Sequence, residues 1–121
     1  MMSYKAELKI LSLGAPQKLS AGIRFMEPGK IPSSIYFLKR GTVKVHGLHA
    51  NRTTHDQEFF GLNEMVNKSV YHQELTTLTD SYLVKIPAKA LLKLFEEDAD
   101  VRRYLLLQLC KTMDVAEKEF E

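Results

Sequence analysis

Few residues of this 121-residue chain are arranged for metal or covalent chemistry. The four histidines, His46, His49, His55 and His72, come first, because clustered imidazoles and carboxylates hold transition metals. His46 and His49 stand three apart, whereas neighbours on one face of a strand stand two apart. No His-x-His occurs, and no carboxylate follows at an interval that would complete the metal site of a small β-barrel. Cys110 is the single cysteine, which excludes an internal disulfide and an iron–sulfur cluster. It lies in an apolar helical run and reads as a buried, inert thiol. No Cys-x-x-Cys, glycine-rich phosphate loop or nucleophile elbow is present. Asp98 and Asp100 read as helix-end caps, with Asp100 the expected N-cap, rather than as a catalytic pair. The residues therefore name no catalytic group and no metal ligand, and a protein that is not an enzyme is expected.

The elements around these residues follow from composition and punctuation. The length is that of one domain, 1–121, with 45% hydrophobic and 26% charged residues, enough to bury a core without disulfides. Seventeen basic residues against 15 acidic ones leave a net charge of +2, too balanced to argue for nucleic acid. The pairs Lys39-Arg40 and Arg102-Arg103 are too short to be basic patches. No apolar run reaches the ~18 residues of a membrane span. The N-terminus, with Glu7 among its apolar residues, lacks a signal peptide's continuous apolar core. With one cysteine, a cytoplasmic protein is expected.

Residues 4–13 read as a short helix stopped by Gly14 and Pro16. Gly22, Gly29 and Gly41 then punctuate β-prone runs at Leu19–Phe25, Ile35–Leu38 and Thr42–Val45. Residues 47–56 read as a polar loop. Further strands are expected at Glu58–Phe60, Leu75–Thr79 and Leu83–Ile86. Pro87 opens a helix carrying Leu91, Leu92, Leu94 and Phe95. A second helix, from about Val101, carries an apolar stripe through Leu105, Leu109, Met113, Ala116 and Phe120. The organisation is α+β: an N-terminal helical segment (1–16), a β-roll (17–86) and two C-terminal helices (87–121).

Gly22-x6-Gly29, Ile35-Tyr-Phe-Leu and Gly41-Thr-Val-Lys-Val, followed by Phe59-Phe60-Gly61 and Leu83–Pro87, resemble the cyclic-nucleotide-binding domain, the sensor domain of Crp/Fnr regulators. The resemblance covers nearly the whole chain. It implies a jelly-roll barrel (a double-stranded β-helix) flanked by helices, and a ligand site at a cassette of the form F-G-E-x-A-L followed by P-R-A-A. In such a cassette the glutamate accepts a bond from the ribose hydroxyl, and the arginine pairs with the cyclic phosphate.

Laid on this chain, the cassette runs from Phe60 and Gly61 through Leu62, Asn63, Glu64, Lys68, Val70, Tyr71 and His72. Leu62 stands at the glutamate, Val70 at the proline and Tyr71 at the arginine, and the bulky or apolar Leu62 and Tyr71 are expected partly to fill the pocket themselves. Glu64 could reach the ribose only through a two-residue insertion, and residues 53–101 contain no arginine at all. Lys68 would offer a flexible point charge in place of a planar fork. Loss of both charged contacts costs roughly two to four powers of ten in affinity. No cofactor is expected, and cAMP or cGMP is not expected by the usual chemistry.

The resemblance thus implies a non-catalytic signalling domain that acts through a protein partner or as a homodimer, using Leu109, Met113, Ala116 and Phe120 of the last helix. No DNA-binding module and no membrane association are expected in these residues. The alternatives are a sensor of a non-standard nucleotide or another small molecule, including the sensor part of a Crp/Fnr-type transcription regulator, and, more remotely, a cupin-like metal enzyme.

Overall fold

The computed structural model describes residues 2–26, 28–47, 51–55 and 57–120, and the side chains of those within 4–111. A helix α1 (Met2–Leu11) precedes eight strands: β1 (Ala15–Leu19), β2 (Arg24–Met26), β3 (Ser34–Arg40), β4 (Val43–His46), β5 (Asn51–Thr54), β6 (Glu58–Phe60), β7 (Glu74–Thr77) and β8 (Ser81–Pro87). A short helix α2 (Leu62–Asn67) interrupts them between β6 and β7, and α3 (Ala88–Glu97) and α4 (Ala99–Phe120) complete the chain.

The strands form two antiparallel four-stranded sheets, ordered β1-β8-β3-β6 and β2-β7-β4-β5. Among the described residues no ladder joins one sheet to the other, so the roll is a pair of sheets and not the closed barrel that the resemblance implies.

The residue patterns explain the layering. In β3, Ile35 and Phe37 point to one side and Tyr36 and Leu38 to the other. Ile35 and Phe37 join Val84 and Ile86 of β8 in a core closed by Ala6, Ile10, Leu91, Val101 and Leu105 of the helices. Leu38 and Leu83 face Val43, Val45 and Leu75 of the second sheet. A sheet buried on both faces needs the continuous apolar run Ile35-Tyr-Phe-Leu. The second sheet has a solvent face, so Val43 and Val45 alternate with exposed Lys44 and His46. Pro16 sits within β1, an edge strand that pairs only with β8, where a missing N–H is tolerated.

Several expectations are corrected. The run Leu19–Phe25 is two strands in different sheets, separated by a turn in which the Gly22 N–H donates to the Thr77 carbonyl at 2.7 Å. Residues 51–54 of the expected loop form β5, paired with β4 from Val43↔Thr54 to His46↔Asn51. The polar sequence Asn-Arg-Thr-Thr hides an edge strand whose inward positions are Arg52 and Thr54. The N-cap of α4 is Asp98, not Asp100: its Oδ1 accepts from the Asp100 and Val101 N–H groups at 3.0 and 3.1 Å. Cys110 is exposed and not buried, because α4 turns Val101 and Leu105 inward and the residues half a turn away outward.

Candidate functional site

The cassette region is built around α2. Gly61 takes φ 98° at its start, a backbone conformation that favours glycine, and a Cβ there would stand 3.1 Å from Ile35 Cδ1. The helix ends one turn and a half later at Lys68, itself left-handed at φ 55°, where the Lys68 and Ser69 N–H groups both donate to the Glu64 carbonyl. The sequence reading missed this helix. The Gly61–Lys68 bracket around Leu62 and Met65, three residues apart and both buried, is the signal that was available.

The helix separates the expected site residues. Leu62, which the resemblance sets at the glutamate, turns away from the roll into the core beneath the C-terminal helices, as does Met65. The expectation that Leu62 helps to fill the ligand pocket is therefore corrected. Asn63 is exposed and accepts from the Asn67 amide at 2.8 Å. Glu64 is half-buried; burial pushes its carboxyl above the ordinary value, partly offset by its own backbone N–H and by His72. Lys68 and His72 are exposed and Val70 is partly covered.

Phe60 and Tyr71 meet in the core between the sheets. Tyr71 is only 3% exposed. Its N–H donates to the Lys30 carbonyl and its carbonyl accepts from the Gly29 N–H, each at 2.8 Å, so the cassette is clamped to the Pro28-Gly29 turn. The Tyr71 hydroxyl donates to Gln73 Oε1 at 3.2 Å. Burial holds this phenol far above its ordinary value, and the neighbouring Glu64 carboxylate adds to the effect. The phenol is a neutral hydrogen-bonding group throughout the physiological range.

An arginine does enter the roll, from a strand the sequence reading did not foresee. Arg52 of β5 forms a two-pronged pair with Glu58 of β6, Nη2 to Oε2 and Nη1 to Oε1 at 3.2 Å, and Thr54 Oγ1 donates to the same carboxylate at 3.3 Å. Its charge reaches the Tyr71 hydroxyl. The guanidinium is thus held by an internal carboxylate in a fork geometry.

On the other side of Tyr71 a cleft of about 310 Å³ opens between β2, the segment joining β2 to β3, and β8. Phe25, Tyr36 and Tyr71 line it, with Arg24, Lys30 and Lys85 around them. Among the described residues, no three histidine, cysteine or acidic side chains come together as metal ligands. His46, His55 and His72 are exposed and scattered; His49 lies outside the described residues.

The sequence matches the cyclic nucleotide-binding domain over residues 16–98. The chain belongs to this family. No curated protein matches it significantly. Among solved structures, the Thermus thermophilus catabolite activator protein is similar with a TM-score of 0.77 at 18% identity, over 96% of this chain and 57% of that one. The chain therefore spans a little over half the length of that protein. The sensor domain of the transcriptional regulator DNR from Pseudomonas aeruginosa is similar at 0.72 and 20% identity, over 89% of this chain and 80% of that one. The c-di-GMP-responsive regulator CLP from Xanthomonas campestris is similar at 0.68 and 18%, over 95% and 63%. At these identities the structural likeness concerns the fold. Leu62 and Tyr71, which the resemblance sets in one cassette, lie in two different cores.

The last helix carries a further correction. Leu109, expected on a partner-facing stripe, packs partly buried against the domain's own core. The outward face of α4 instead presents Leu106, Leu107 and Cys110. The side chains of Met113, Ala116 and Phe120 lie outside the described residues. No helix among the described residues is long and apolar enough to cross a membrane.

Proposed function

We propose that this cyclic nucleotide-binding domain is a non-catalytic regulatory module that has given up the family's chemistry for cAMP and cGMP and acts through protein contact. The observation that carries the reading is Tyr71. A buried, neutral, hydrogen-bonded phenol stands where the family pairs an arginine with phosphate. The one arginine whose charge reaches that phenol is engaged by Glu58. A cyclic phosphate entering here would lose its hydration and meet no fork to replace it, which is unfavourable in a site of low polarity. With the nucleotide chemistry gone, the exposed Leu106-Leu107-Cys110 face of α4 becomes the surface through which the module meets a partner or a second copy.

Thermal unfolding of the whole chain with and without millimolar cAMP and cGMP tests the first part. A ligand present at ~100 times its Kd would stabilise by about 2.7 kcal/mol, an upward shift on the order of 10 °C for a domain of this size. No shift is expected. A shift of that order, lost in Glu64→Gln, would overturn the reading. Sedimentation of Leu107→Glu beside the parent tests the second part: an unchanged association state, and an unchanged set of bound partners, counts against α4 as the contact surface.

A further inference from the structure

We propose that the groove around Tyr82, at one end of the first sheet, is a docking site for an acidic segment of a partner protein, with two carboxylates either side of an apolar residue. The inference rests on the reading of this domain as a protein-contact module. It gives that module a surface apart from the α4 face and from the cassette, since the described lining comes from β1, β3 and β8 alone.

Side chains alternate along a strand, so Tyr82, Val84 and Ile86 of β8 share one face. The helices cover Val84 and Ile86 and leave Tyr82 42% exposed at the end of the row. β8 is an inner strand, and its neighbours set a cation on each side of the ring. Lys18 of β1 and Arg40 of β3 both stand opposite Tyr82 in register. Lys18 Nζ lies 5.7 Å and Arg40 Cζ 6.0 Å from the ring centroid, within reach of cation–π attraction. The ring thus draws both charged heads to one place. A groove of about 590 Å³ opens there, with Pro16 and Lys39 also lining it.

Charge identifies the occupant. Three cations, Lys18, Lys39 and Arg40, share this groove in a chain whose net charge is only +2. No acidic residue is among the described lining, and none of the three makes an ion pair among the described residues. Like charges gathered in this way repel one another, and carboxylates relieve the repulsion. The Arg40 guanidinium offers a carboxylate a planar fork. Lys18 and Arg40 stand one strand to either side of β8, so their backbones are about 10 Å apart. Carboxylates at i and i+4 of an extended segment, about 13 Å apart on flexible stems, straddle that span and set residue i+2 on the ring. Three cations around one ring are too few to follow a nucleic-acid backbone.

The test uses the full chain, isotopically labelled, titrated with the capped peptide Glu-Ser-Leu-Ser-Glu and followed by amide chemical shifts. Saturable shifts are expected at Lys18, Arg40 and Tyr82, with a dissociation constant on the order of 1 mM for so short a probe, weakening as salt is added. Replacing both peptide glutamates by glutamine, or its leucine by serine, is expected to weaken binding about fivefold or more. Lys18→Gln with Arg40→Gln should do the same. Lys89→Gln with Lys93→Gln, the same change of net charge on exposed lysines of α3, should leave binding unchanged, and the amide spectra report whether each variant is folded. The proposal is overturned if the peptide gives no saturable shifts at these residues, if the glutamine peptide binds equally well, or if the two double variants bind alike. It is also overturned if oligothymidylate moves the same amides at lower concentration, which marks a nucleic-acid surface, or if protein concentration alone moves them, which marks a contact between copies. Leu107→Glu is expected to bind the peptide as the parent does, and the melting tests with cAMP and cGMP do not involve this groove, so failure here and failure of the proposed function are read separately.

Discussion

Replacing Tyr71 with alanine tests whether this side chain has become core, the step on which the functional reading turns. At 3% exposure the ring contributes almost all of its surface to the packing between the sheets, beside Phe60, Leu75 and Met26. Truncating a buried aromatic side chain to alanine costs about 3–5 kcal/mol, because transfer and cavity terms add. For 121 residues, an unfolding entropy of about 2.1 cal/mol/K per residue converts 1 kcal/mol into roughly 4 °C. Tyr71→Ala is therefore expected to lower the melting temperature by about 12–20 °C. Tyr71→Phe keeps the ring and loses only the hydrogen bond to Gln73, worth about 1 kcal/mol, or roughly 4 °C. Calorimetry on the three proteins at one pH gives both numbers. If Tyr71→Ala melts within about 4 °C of the parent, the ring is not core, the pocket is not filled, and the argument against nucleotide binding fails with it.

Three further outcomes follow from the same geometry. Burial raises the Glu64 carboxyl above its ordinary 4.5, so ionising it opposes folding. Glu64→Gln is expected to raise the melting temperature at pH 7, with the gain shrinking as the pH falls through the folded-state value and vanishing below the unfolded one; a gain independent of pH would exclude the electrostatic cause. Asp98 is held below its ordinary 3.8, first by Lys9 and then by the backbone N–H groups of α4, so its contribution is present above the unfolded value and disappears as the pH falls through the folded one. Asp98→Ala should melt lower than the parent at pH 7, Asp98→Asn by less because its amide oxygen still caps, and the gap to alanine should close in acid. Gly41 has φ 126°, and a Cβ there would fall 2.3 Å from Ser81 Oγ and 2.8 Å from Ser81 Cα; Gly41→Ala is expected to cost more than about 2 kcal/mol, read as a lower denaturant midpoint, and a neutral substitution would refute the tight approach of the two segments.

The sequence by itself determined the family and the scaffold. Alternation in Val43-Lys-Val-His, the unbroken Ile35-Tyr-Phe-Leu and the stops at Gly14, Gly29 and Gly41 are local consequences of burial and backbone sterics, and they are readable without knowing what packs against what. The absence of an arginine over residues 53–101 is equally a property of the string. What only the tertiary structure decided depends on partners distant along the chain. Polar Asn51–Thr54 is a strand because β4 offers a free edge and Glu58 receives Arg52. Leu62 and Tyr71, both read as possible fillers of one pocket, part company because a six-residue helix rotates the first toward α3 and α4 while the turn at Gly29–Lys30 clamps the second into the roll. Asp98 caps α4, and Lys9, 89 residues earlier, completes its pairing. Leu109 and Cys110 stand next to each other in sequence, yet one packs inward and the other faces solvent, because the 100° step of a helix assigns faces only once its neighbours are in place.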